Sequence, residues 1–144
     1  MKIAIEEAQR AFQEDEIPIG ALIIKDSEII SKAHNTNRAE NDPTKHAEMT
    51  AIQIASKALN NERLTNCDLY VTKEPCAMCA GAIIHARIKR VIIAATDEKY
   101  GACGTKLLVC GNPELNHIPE IIFGILEQEA VQLLKDFFKE KREK

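Results

Sequence analysis

No apolar run in the sequence approaches the length of a membrane span. A secretory segment is missing as well: Met1-Lys2-Ile3-Ala4-Ile5 runs straight into Glu6-Glu7, which interrupts any signal-peptide core. There is no internal repeat, low-complexity tract or linker, so the 144 residues are expected to form one domain, 1–144. Net positive charge is also lacking. A balance of −3 with pI near 5.8 argues against a protein that coats nucleic acid indiscriminately. Cysteine is present, but as five residues, an odd number without secretory context. The cysteines therefore read as reduced and cytoplasmic, with metal-binding or packing roles.

What is present is distributed unevenly. Between His85 and Lys106, Arg87, Lys89, Arg90, Lys99 and Lys106 face only Asp97 and Glu98. A second basic stretch runs from Lys135 to Lys144, on an otherwise acidic body. Two such segments can be ordinary solvated surface, or can steer a polyanion to one place.

Periodicity supplies the elements. Ala4, Ile5, Ala8, Ala11 and Phe12 recur at helical spacing, with Glu6, Glu7, Gln9, Arg10 and Gln13 on the other face. The helix ends near Asp15, and Pro18 and Gly20 follow as breakers. Ala21–Ile24 and Ile29-Ile30 with Ala33 form two strands joined at Asp26-Ser27. A polar loop from His34 to Pro43 leads to a second helix from about Thr44, ended by Asn60-Asn61. Leu69–Thr72 is a strand, and a third helix carries Cys79, Ala82, Ile83 and Ala86. Val91–Ala95 is uniformly apolar, as a strand buried on both faces requires. Gly101, Gly104 and Gly111 mark an irregular region, Ile121–Phe123 a further strand, and Ala130, Leu133, Leu134 and Phe137 a final helix. A hairpin followed by helix–strand–helix–strand predicts an α/β fold, a mixed sheet with helices on both faces.

The chemistry concentrates at Pro75-Cys76-Ala77-Met78-Cys79. Two cysteines three positions apart at a helix start can turn toward one ion, and the dipole there favours thiolates. Pro75 suits a first turn, which has no use for its missing N–H. Upstream, His46-Ala47-Glu48 offers an imidazole and a carboxylate. His46, Cys76 and Cys79 make a three-ligand Zn2+ site with a position left open for water, and Glu48 is free to move protons. In mid-helix His46 and Glu48 would point roughly 200° apart. At a first turn both can reach what docks on the helix N-terminus. With both thiolates ionised the ligands cancel the zinc charge, so an adjacent base matters more. Hydrolytic loss of ammonia from an amino-substituted ring carbon is the reaction class such a site serves.

Other readings compete with this one. A closed structural zinc knot would take Cys67, Cys103 or Cys110 as fourth ligand, and a redox role for Cys-Ala-Met-Cys would leave His46 and Glu48 without a task.

His-x-Glu…Pro-Cys-x-x-Cys is the pattern of zinc nucleobase deaminases. The likeness extends through Pro18-Ile19-Gly20-Ala21, Asp42-Pro43-Thr44-Lys45-His46-Ala47-Glu48, Glu74–Ile84, Asp97–Gly104, Asn116-His117 and Leu133–Phe138. Over nearly its whole length, in order, the chain resembles the bacterial tRNA-specific adenosine deaminases. That resemblance implies a three-layer α/β/α cytidine-deaminase-like fold with a central mixed sheet, and a homodimer with residues of both subunits around each site. It implies one zinc per chain and conversion of adenosine to inosine at the wobble position of a tRNA anticodon. Carried over by position, His46, Cys76 and Cys79 bind zinc and Glu48 shuttles protons. Asn35 orients the flipped nucleotide, Asp97 and its neighbour Lys99 border the channel for the anticodon stem-loop, and Phe138 with the basic tail lies along the RNA. Lys73 departs from the pattern, standing where an apolar residue usually precedes Glu-Pro-Cys, and Tyr100 replaces a small residue near Asp97.

The plain alternatives are specific. Asn35 suits an ordinary turn, Asp97 a turn cap, Met78 core filling, and Cys67, Cys103 and Cys110 small buried hydrophobes. His34, His85 and His117 lack metal spacing and read as surface or hydrogen-bonded. Phe137 and Phe138 read as core or dimer contacts. Deamination of a free base such as guanine or cytosine, and a non-catalytic zinc-stabilised RNA-binding module, are the other functions compatible with the residues.

Overall fold

The structure is a computed structural model in which residues 1–143 are described. A hairpin opens the sheet: β1 (Gly20–Lys25) and β2 (Glu28–His34) pair antiparallel. Asp26 and Ser27 both take positive φ, the backbone that a two-residue hairpin turn needs. β1 also pairs antiparallel with β3 (Asp68–Lys73), which pairs in parallel with β4 (Arg90–Ala95), which pairs in parallel with β5 (Glu120–Phe123). The strand order is β2-β1-β3-β4-β5. This is the mixed sheet expected from the alternation of strand and helix.

Helices cover both faces. α1 (Lys2–Gln13) and α5 (Glu127–Glu143) share one, where Ile5 and Ala130 pack with Ala94 and Ala95. On the other lie α3 (Ala47–Ala58) and α4 (Ala77–Ala86); a short α2 (Asn37–Glu40) sits in the connection between β2 and α3. Ala21, Ile23, Leu69, Val71, Val91 and Ile93 alternate toward α3 and α4, with Ile83 packed against them. Full burial of each such branched aliphatic side chain contributes about 1.5–3 kcal/mol. α3 turns only the alanines 47, 51 and 55 inward as buried residues of this core, and such small side chains let the helix lie close to the sheet.

Two expectations change on folding. Glu7, assigned by periodicity to the polar face of α1, is only 4% exposed. It is held there by His34, whose Nδ1 lies 3.0 Å from its carboxylate, and by Arg10 at 3.2 Å. Met78 is half-buried and belongs to neither core cluster, because Cys79, Ala80 and Ile83 occupy the inward face of α4. The polar loop after β2 also contains the helical turn α2, which sequence periodicity does not reveal in four residues. The buried Glu16 carboxylate makes it, accepting hydrogen bonds from the Arg38 and Ala39 N–H groups at 3.1 and 2.8 Å.

Gly20 fixes how closely α1 approaches the sheet. A β-carbon there would stand 2.0 Å from the Ala4 carbonyl oxygen and 2.6 Å from the Ala8 nitrogen, both rigid backbone atoms. Gly20→Ala is therefore expected to push α1 off β1 and to destabilise the protein by about 2–3 kcal/mol. A lowered urea midpoint with an unchanged slope would show it.

Candidate metal centre and its cavity

Two helix N-termini meet at the site. His46 is the N-cap of α3 and Cys76 the N-cap of α4, both in extended backbone, so their side chains project from the helix starts instead of lying along a helix face. Cys79 follows one turn into α4. The His46 Nδ1 atom lies 3.6 Å from Cys76 Sγ and 3.5 Å from Cys79 Sγ, and the three donor atoms fall within 4.8 Å of one another. Zinc bonded at about 2.0–2.1 Å to nitrogen and about 2.3 Å to sulfur in a tetrahedron separates those atoms by roughly 3.6 Å. The donor set and its spacing fit zinc. Among the described residues this is the one cluster of three or more metal-ligating side chains. Cys67, Cys103 and Cys110 stay outside it as buried thiols, so the closed four-ligand knot is not assembled.

Without metal the trio shares protons. A hydrogen bond from Cys79, aided by His46, brings Cys76 down to about 4. Cys79, donating to that thiolate and buried, is pushed far up, and His46 is raised chiefly by its hydrogen bond to Cys76. Glu48, on the first turn of α3, is 4% exposed, and burial raises its carboxyl to about 7. It also takes part in a side-chain hydrogen bond with Cys79, which places an acid–base group beside the thiols.

A cavity of about 690 Å³ opens over this cluster. His46, Glu48 and Cys76 line it, and so do Asn35, Asp97, Lys99 and Phe138. The residues singled out from sequence, all but the fully buried Cys79, thus border one space. Asn35 is buried, and its side-chain oxygen accepts the Ala47 N–H at 2.8 Å, which ties β2's end to the start of α3. Phe137 and Phe138 part company: Phe137 is buried edge-on against Phe12 at 5.6 Å, whereas Phe138 is 40% exposed in the cavity wall. A second cavity of about 720 Å³ shares Thr96, Lys99 and Phe138 with the first and adds Lys135, Lys141 and Arg142. Lys99 of the first basic stretch and Lys135, Lys141 and Arg142 of the second therefore line one groove beside the cavity, whereas Arg90 pairs with Asp68 at the other end of β4.

Sequence reasoning assigned no part to Glu74, which organises the cavity's rim. Its carboxylate is 3% exposed and accepts the N–H groups of Asp97, Cys103 and Thr105 at 3.1, 2.9 and 3.2 Å. Gly101 makes room for it: a β-carbon there would lie 2.6 Å from Glu74 Oε1. An acid directly after a buried strand, with a glycine-rich loop downstream, is the only sequence signal that goes with it, and it does not mark the acid as buried. His34 also gains a place, held between Glu7 and Glu14 at 3.0 and 2.7 Å. Burial opposes its protonation, but the two carboxylates outweigh that and raise its pKa. His117, as expected of a hydrogen-bonded histidine, reaches the Ile88 carbonyl at 2.6 Å.

Comparison with known proteins agrees with this arrangement. The MafB19-like deaminase family model matches residues 1–142. A tRNA-specific adenosine deaminase from Aquifex aeolicus is 47% identical over 99% of this chain and 93% of its own. A solved tRNA:A34 deaminase, studied for A-to-I editing at the wobble position of transfer RNA, superposes with a TM-score of 0.90. It is 42% identical, over 93% of this chain and 97% of that one. Guanine deaminase from Bacillus subtilis is 45% identical, but over 66% of this chain and 61% of its own, with a TM-score of 0.63. A three-layer α/β/α cytidine-deaminase-like fold, a His-Cys-Cys cluster of zinc geometry and similarity over nearly the whole chain to the two tRNA deaminases place the chain in the family of tRNA-specific adenosine deaminases.

Proposed function

We propose that this protein is a zinc-dependent hydrolase that converts adenosine to inosine at the wobble position of a tRNA anticodon. The observation that carries the reading is the buried Glu48 beside the His46–Cys76–Cys79 cluster, at a cavity that shares Thr96, Lys99 and Phe138 with the groove lined by Lys135, Lys141 and Arg142. A free base has no use for such a groove; an RNA backbone does.

His46, Cys76 and Cys79 would hold the zinc. Zinc bound there supplies Lewis acidity, making a water nucleophilic near neutral pH. The target adenosine leaves the stack to enter the cavity, since its C6 is out of reach in a duplex. Water adds to C6 while Glu48 takes one of its protons and delivers it to N1. The remaining proton of the added water passes from the C6 hydroxyl to the exocyclic amine, the C6–N6 bond breaks, and ammonia leaves with inosine, now carrying the C6 carbonyl, as the other product. Asn35 orients the nucleotide from the cavity wall, Asp97 and Lys99 border the entrance, and Phe138 offers a face for a neighbouring base. The whole of 1–144 acts as one deaminase domain, in a cytoplasmic homodimer; no helix among the described residues is long and apolar enough to cross a membrane.

Glu48→Ala is expected to lower inosine formation in an anticodon stem-loop roughly 10³-fold while zinc stays bound. Inosine analysis alongside metal quantitation checks this, with ammonia release from free guanine, cytosine, adenosine and cytidine measured in parallel. Ammonia from a free base alone would assign the guanine- or cytosine-deaminase activity instead. An unchanged rate with the variant would remove Glu48 from the mechanism, and zinc and stem-loop binding with no turnover of any substrate would leave a non-catalytic RNA-binding module.

Zinc loading should itself depend on pH. Metal displaces the protons held by Cys79 and His46, whose pKa values are raised in the metal-free cluster. Affinity should therefore fall with falling pH, by about tenfold per unit for each proton displaced. Calorimetry in buffers of different ionisation enthalpy reads the number of protons released.

A further inference from the structure

Lys73 is a cation in the wall of the cavity over the metal cluster that the reading above leaves without a part. It is the last residue of β3, and Asp97 lies two residues beyond the end of β4, the parallel neighbour of β3. Both side chains therefore stand at the carboxyl ends of adjacent parallel strands, where open α/β sheets bind ligands. Lys73 Nζ is 3.2 Å from Asp97 Oδ2, and both residues line the cavity over the metal cluster. The other carboxylate oxygen, Oδ1, accepts the Lys99 and Tyr100 N–H groups at 3.0 and 3.1 Å. The side chains are 24% and 11% exposed, so water screens the pair only in part.

We propose that Lys73 is a positioning residue for the RNA substrate: by pairing with Asp97 it cancels an anionic charge at the cavity entrance and holds the 97–100 turn in a form that admits a polyanion. The inference rests on the RNA-directed reading above. Asp97 and Glu98 would otherwise place two carboxylates in the cavity wall beside Lys99, which also lines the basic groove. An apolar side chain at 73 would leave Asp97 bonded to the turn but without a cation, facing the incoming phosphates. Lys73 thus works through Asp97 and need not touch the reacting atoms.

The test is RNA binding, read apart from turnover. Lys73→Leu, Lys73→Arg and the double variant Lys73→Leu/Asp97→Asn are compared with the zinc-loaded parent by fluorescence anisotropy. The probe is a short anticodon stem-loop with adenosine at the wobble position, used across a salt series. Lys73→Leu should weaken binding roughly threefold to tenfold at low salt, and the loss should shrink as added salt screens the uncovered Asp97 charge. Lys73→Arg should bind like the parent, and adding Asp97→Asn to Lys73→Leu should restore most of the loss. Unchanged affinity in Lys73→Leu would overturn the proposal. Failure of Asp97→Asn to restore binding would overturn it too, because Lys73 would then meet phosphate directly or serve only the fold. Inosine formation by the parent is followed separately. Its absence, with the binding pattern intact, would remove the deaminase assignment and leave the Lys73–Asp97 coupling standing.

Discussion

Two helices begin at the same point in space, and the site depends on that meeting. The N-termini of α3 and α4 each present unpaired N–H groups and the positive end of a helix dipole. Like ends repel unless negative charge lies between them. The Cys76 thiolate, held ionised by hydrogen bonds from Cys79 and His46, provides it within the cluster. The packed alanines of α3 and the aliphatic face of α4 hold the two helices against one side of the sheet, so the approach is set by the core and used by the ligands.

Buried oxygen acceptors do the comparable work for the irregular backbone. Glu16 gathers two N–H groups at the start of α2, Asn35 takes one at the start of α3, and Glu74 takes three from the rim of the cavity. A buried carboxylate without such partners would be costly; with them, charge-assisted hydrogen bonds specify one loop conformation. The loops around the cavity are thereby shaped by single side chains that reach across from regular elements.

What the sequence disclosed and what it concealed follows from the range of the interactions. Strand and helix positions were legible because burial imposes a local period, as in Val91–Ala95 and in the alanines of α3. His46, Glu48, Cys76 and Cys79 were legible because their spacing is a local consequence of two helix starts. Convergence of Asn35, Asp97, Lys99 and Phe138 on one cavity came from family resemblance, since no local pattern connects residues so far apart. Glu7, Glu16 and Glu74 were not legible as buried acids. Their partners are His34, the backbone of α2 and the 97–105 loop, and composition alone places a glutamate at the surface. Lys73 was visible as a departure, but its partner became known only once β3 and β4 lay side by side.

Glu74 sits one residue from Pro75 and two from Cys76, and the Pro75 carbonyl itself accepts the Ala102 N–H at 2.9 Å. The entrance loop and Cys76 therefore hang from one short, stiff piece of chain, with the proline ring fixing its φ. Any rearrangement of that loop large enough to move the Glu74 carboxylate is passed on to the thiolate. Variation that reshapes what the protein accepts is thus confined to the outward side chains of the loop, such as Lys99 and the 68% exposed Tyr100. The frame beneath them is held in common with the His46–Cys76–Cys79 cluster and has little freedom to drift.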